Sequence, residues 1–127
     1  MRKFGEDDSE KVNSLWANRS ANSLHFIRSL IITNGGYGLY DTESDELLSF
    51  GLINDHFSIG ALTTVEKARG KKYGEFMAKL LTFKIAEEMK VTPTCFIDEP
   101  NSISLNLFHK LGYKKIRECN WIVVVQK

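Results

Sequence analysis

The chain has 127 residues, 43% hydrophobic and 26% charged, which suits one soluble domain over residues 1–127 with a continuous core. With 17 Lys and Arg against 16 Asp and Glu, the formal net charge of +1 offers no whole-protein field for gathering nucleic acid, so any anion site must be local. The longest apolar runs, such as Leu30-Ile31-Ile32 and residues 122–125, fall far short of the roughly 20 residues that span a bilayer, and no membrane partner is expected.

Asp7-Asp8-Ser9 supplies helix-capping chemistry ahead of Val12, Leu15 and Trp16, and Ser20 can cap a second helix carrying Leu24, Ile27 and Ile31. Asn34-Gly35-Gly36 ends that helix. Strands over residues 37–40, 47–54 and 57–65, joined by polar turns, predict an antiparallel meander. A long helix follows, with Tyr73, Phe76, Met77, Leu80, Leu81, Ile85 and Met89 at spacings of three and four. Residues 94–98 read as a short buried strand. Residues 101–111 read as a helix with Ile103, Leu107, Phe108 and Leu111 on one face and Gly112 as its stop. Residues 113–117 and 121–125 read as a closing hairpin. A strand, helix and strand in this order make a crossover, so the sheet is mixed and helices cover both faces.

The cysteines Cys95 and Cys119 share no Cys-x-x-Cys spacing, and reduced thiols in an intracellular protein are expected, with cytoplasm and mitochondrion both open. His25, His56 and His109 have no metal-ligand spacing with one another or with the cysteines, so no metal site is expected.

Residues 57–75 pass from strand through a glycine-containing turn into a helix N-terminus, where unpaired backbone N–H groups face an anion. Gly70 and Gly74 allow close approach or positive φ, and Arg69, Lys71 and Lys72 add positive charge. Local pattern alone favours a plainer reading, a solvated turn with ordinary helix-start glycines. A Walker loop is excluded, because Glu75 and Phe76 follow Gly74 where Lys and Ser or Thr belong.

Arg69-Gly70-Lys71-Lys72-Tyr73-Gly74 resembles the acyl-CoA motif of the GNAT acyltransferase superfamily, an Arg or Gln followed by x-x-Gly-x-Gly or Ala. Asn101-Ser102-Ile103-Ser104 and then Lys110-Leu111-Gly112-Tyr113 resemble its downstream Asn-x-x-Ser helix and Lys-Leu-Gly-Phe turn. More closely, the chain resembles the C-terminal domain of glycine N-acyltransferase-like proteins, from Val12-Asn13-Ser14-Leu15-Trp16 through Phe26-Ile27-Arg28-Ser29-Leu30-Ile31 to Cys119-Asn120-Trp121. Full-length members of that family carry an additional N-terminal region, so the resemblance leaves open that this single domain is the C-terminal part of a longer protein.

The resemblance implies an α/β (α+β) GNAT fold, a mostly antiparallel mixed sheet with a splayed parallel pair and helices on both faces. It implies acetyl-CoA or another acyl-CoA as cosubstrate. The backbone of Leu62, Thr63 and Thr64 would pair with the pantetheine arm, Arg69 and residues Gly70, Lys71, Lys72, Tyr73, Gly74 and Glu75 would hold the pyrophosphate, and Asn101 would meet the pantetheine. Lys72 departs from the motif's middle glycine; if that position needs positive φ, its side chain costs on the order of 1 kcal/mol.

Acyl transfer to an amine needs a base for the amine proton, while a thiolate leaves tolerably without an acid. The resemblance puts an acid tyrosine at Phe108 and an acidic base at Phe96 or Ser58, and none of these residues fills its role. The remaining candidates are His56, in the turn before the strand, and Asp98, on the strand face of Phe96. His56 also reads as a solvated turn residue, and Asp98 as a polar strand end leading into the next helix. Three functions follow: an N-acyltransferase acting on a small amine or an amino acid such as glycine, a catalytically degenerate acyl-CoA-binding regulatory domain, or a protein N-acetyltransferase.

Overall fold

Along residues 49–53 alternate side chains face opposite ways, and each way lies a separate core. Phe50 and Leu52 are fully buried with Val12, Ile27, Leu30 and Ile31, while Ile53 is buried with Met77, Leu81, Ile85 and Phe108. A strand apolar on both faces needs helices on both faces, and the chain supplies them.

The computed structural model describes residues 1–98 and 100–116. Its strands are β1 (Arg2–Lys3), β2 (Gly36–Tyr40), β3 (Leu47–Ile53), β4 (Ser58–Thr64) and β5 (Thr94–Cys95), in sheet order β1-β2-β3-β4-β5. β1 to β4 are antiparallel neighbours, and β5 joins β4 in parallel. The helices are α1 (Ser9–Leu15), α2 (Ser23–Thr33), α3 (Tyr73–Phe83) and α4 (Ser102–Lys110). α1 and α2 cover one face, α3 and α4 the other. The mixed sheet between two helical layers is the fold class expected from the sequence.

Several local expectations change. The sequence offered no sign of β1, whose two exposed charged residues pair with Gly38 and Tyr37 at the sheet edge. Ser20 is not the cap of α2: its backbone N–H donates to Ser23 Oγ at 2.8 Å, and Asn22 holds the cap position. Phe76 is 49% exposed, because Met77, Ala78, Leu81 and Ile85 form the buried stripe of α3 and small Ala78 lies against the sheet. α3 itself ends at Phe83 and continues as a π-helical turn, Lys84–Glu88, closed by Met89 N–H donating to the Lys84 carbonyl.

The buried strand expected over residues 94–98 shrinks to the half-buried pair Thr94–Cys95. Phe96 beyond it is exposed, since among the described residues the parallel ladder holds only Ser58↔Thr94 and Ile59↔Cys95. In α4, Phe108 is buried as expected, but Ile103 is exposed and belongs to neither core. Residues 113–116 form no strand, and the rest of the expected hairpin, with Cys119, lies outside the described residues. Among the described residues no helix is long and apolar enough to cross a membrane, and no group of three or more His, Cys, Asp or Glu could hold a metal ion.

Candidate functional site

The site begins with a register fault in β4. Phe50 faces Thr63 and Leu52 faces Gly60, so Gly51 alone in β3 stands opposite both Ala61 and Leu62. This is a β-bulge, and it puts Ala61 at φ 52°, a left-handed conformation that a residue with a Cβ adopts only under constraint. From Gly60 to Thr64 no described strand pairs with the edge of β4 that β5 leaves behind. Leu62, Thr63 and Thr64 therefore border an opening among the described strands; the Thr63 carbonyl accepts from Ser49 Oγ at 2.9 Å on the β3 side, while the Leu62 side chain packs into the core beneath α3.

Beyond Thr64 the chain makes a short 3-10 turn, Glu66–Ala68, pinned by buried Ala68, and then enters the basic loop. Gly70 has φ +82° and Lys72 φ 65°, so the backbone turns left-handed twice before α3 starts. The structure thus meets the condition on Lys72: its position is left-handed, and it is the N-cap of α3 without a side-chain capping bond. The first-turn amides of Tyr73, Gly74 and Glu75 have no preceding helical carbonyl to bond. The strand end lies close against the helix start, since a Cβ on Gly74 would sit 3.4 Å from Thr64 Oγ1. Arg69 folds back so that its Nε donates to the Thr64 carbonyl at 3.2 Å.

No carboxylate within salt-bridge distance pairs with Arg69, Lys71 or Lys72 among the described residues. Glu75, the acidic member of the loop, is instead engaged by Lys110, whose Nζ lies 2.8 Å from Oε1. That contact, first among its causes, holds the Glu75 carboxyl below its ordinary value. The structure brings together all the residues expected of the phosphate cradle.

At the other end of β4, His56 Nε2 is 2.8 Å from Ser58 Oγ and Nδ1 is 3.0 Å from Asp55 Oδ1. The Phe96 ring meets the imidazole edge to face, with centroids 5.4 Å apart. The turn closes because Phe57 adopts φ 63° and donates its N–H to the Asn54 carbonyl. His56 is therefore held rather than merely solvated. Sequence reasoning found His56 but missed its two partners; the signal was Ser58 at a base position, set aside because it is not a carboxylate.

The other expectations fare differently. Asp98 lies beyond the end of β5 and is exposed, so the shared strand face with Phe96 does not exist. Asn101 is the N-cap of α4, its side chain accepting from Ser104 N–H at 3.2 Å. Phe108 is core, packed edge to face on Tyr113 at 5.0 Å. The Tyr113 hydroxyl bonds Thr82 Oγ1 at 2.6 Å, and burial pushes its pKa up. Burial also pushes the Cys95 thiol up to about 11, which keeps it inert at neutral pH.

No curated protein matches the sequence. Among solved structures, a Drosophila protein shares 27% identity and a TM-score of 0.84 over 91% of this chain, which spans only 39% of the Drosophila chain. A putative acetyltransferase from Agrobacterium tumefaciens aligns at 12% identity and TM-score 0.72, covering 97% of this chain and 98% of its own. Glucosamine-6-phosphate N-acetyltransferase from Arabidopsis thaliana aligns at 16% identity and TM-score 0.66, covering 96% and 97%. These likenesses establish the GNAT fold. A family model described as FR47-like protein matches residues 36–122, the span from β2 through the cradle and α4, and the chain belongs to that family.

Proposed function

We propose that the chain is an acyl-CoA-dependent N-acyltransferase that moves an acyl group from CoA to the amine of a small molecule, a glycine-like amino acid. The observation that carries this reading is the cradle: Arg69, Lys71 and Lys72, without carboxylate partners among the described residues, lead into the N-terminus of α3 beside an edge of β4 that no described strand pairs. Such a site fits a pyrophosphate, and that edge fits the amides of a pantetheine arm, which can replace a missing strand. Fold-level likeness to acetyltransferases agrees with it. Residues 1–127 act in this reading as one domain.

A second reading, an acyl-CoA-binding domain that regulates without transfer, draws on Phe108, which is buried core where an acid would stand. One experiment separates the two. Calorimetric titration with acetyl-CoA and benzoyl-CoA should show binding, and free-thiol release against an amino-acid panel should depend on the amine. Binding without amine-dependent release supports the regulatory reading, and no binding removes both.

A further inference from the structure

Asp55, His56 and Ser58 form one hydrogen-bonded chain, and the donors along it can be ordered. Asn54 Nδ2 donates to Ser58 Oγ at 2.9 Å, so the Ser58 hydroxyl is free to donate to His56 Nε2. The ring then carries its own proton on Nδ1 and donates it to Asp55 Oδ1, an assignment made from the network. The ends of the chain differ sharply in surroundings. Ser58 is fully buried, whereas the Asp55 side chain is 78% exposed and that of His56 54%. Asp55 on the same turn is the charged group in contact with the ring; Phe96, from the segment after β5, presents an aromatic ring to it.

The position of Ser58 gives this chain a direction. Ser58 and Ile59 are the described residues of β4 that pair with β5, and immediately after them no described strand pairs with that edge. A pantetheine arm lying along that edge, with its pyrophosphate at the start of α3 beyond Thr64, must point its sulfur back toward the closed end, where Ser58 stands.

We propose that Ser58, His56 and Asp55 carry the amine proton from the reacting centre to solvent, with Ser58 as a catalytic hydroxyl, His56 as proton acceptor and Asp55 positioning the ring; this rests on the acyl-transfer reading. The amine nitrogen bonds to the thioester carbon, and the C–S bond breaks with its electron pair on sulfur. The amine proton passes to Ser58 Oγ as the Ser58 proton passes to His56 Nε2. The imidazolium, held by the Asp55 carboxylate, returns a proton to solvent, and the thiolate takes one from solvent.

The test is thiol release from acetyl-CoA with glycine as acceptor, alongside calorimetric binding of acetyl-CoA. S58A and H56A should each lower kcat by roughly 100-fold with acetyl-CoA affinity unchanged, and the double variant should be no worse than the worse single one. Added imidazole should restore part of the H56A rate, and D55E should recover what D55A loses. His56 is half exposed, so H56A keeps the test open if S58A fails to fold. Wild-type rates in S58A, additive losses in the double variant or no rescue by imidazole would overturn the relay while leaving acyl transfer intact. A wild-type protein that binds acetyl-CoA but transfers to no amine overturns the acyl-transfer reading, and the relay with it.

Discussion

Lys110, in the last turn of α4, reaches across to Glu75, in the first turn of α3, with Nζ 2.8 Å from Oε1. Each charge also suits the helix end that carries it, a carboxylate at an N-terminus and an ammonium at a C-terminus. The pair joins the two helices of one face and neutralises the acid in a loop that is otherwise basic.

Removing Lys110 should therefore do two things. K110A leaves the Glu75 carboxylate uncompensated in the phosphate cradle and should weaken acyl-CoA binding a few-fold, and E75Q in the same chain should restore it. Because Lys110 holds the Glu75 carboxyl below its ordinary 4.5, the pair stabilises the fold above that pH, and its contribution is lost as pH falls through the folded-state value. The difference in Tm between wild type and K110A should be largest near neutrality and shrink below pH 4.5.

Lys72→Gly sets stability against binding. The left-handed backbone at φ 65° costs a side-chain residue roughly 1–2 kcal/mol, partly offset by the extra freedom glycine gains when unfolded. The variant should melt at the same or a slightly higher temperature while binding acetyl-CoA more weakly. Tighter binding would mean that the Lys72 ammonium contributes nothing to the cradle.

Alanine at Arg69, Lys71 and Lys72 together should weaken acetyl-CoA binding and flatten its dependence on salt, since screening acts on the charges removed. Titrations at low and high ionic strength measure both effects. Equal affinity at low salt would remove the phosphate assignment.

Gly51→Ala should destabilise by about 1–3 kcal/mol, read from the shift in urea midpoint. A Cβ there would lie 2.3 Å from Cδ1 of the fully buried Leu81, so the Leu81 side chain must shift within the core. Gly51 is also the residue opposite the bulge, so the same change tests how tightly α3 fixes the opening in β4.

The meander was legible because its turns are polar and its strands apolar; Asp41 Oδ1, for instance, accepts from the N–H groups of Glu43 and Ser44 and fixes the first reversal. The cradle was legible as a motif, with glycine and basic residues standing side by side in the chain. What escaped has physical reasons. Arg2 and Lys3 carry no alternation, so only the partner strand reveals β1. Cys95-Phe96-Ile97 is as apolar as a strand, but a strand ends where its ladder ends. The π-helical turn at Lys84–Glu88 has no residue that marks it in advance. Asp55 and Ser58 join His56 only because Phe57 turns the backbone left-handed, and Lys110 meets Glu75 only when two helices pack on one face.

The edge of β4 from Gly60 to Thr64, which no described strand pairs on the side away from β3, also bears on how long the protein lasts. A ligand that fills a gap in the folded sheet and has no grip on the unfolded chain stabilises by mass action, by about 2.7 kcal/mol when present at 100 times its dissociation constant. Loaded and empty protein would then differ in melting temperature and in resistance to proteases, so the supply of acyl-CoA would set abundance as well as turnover.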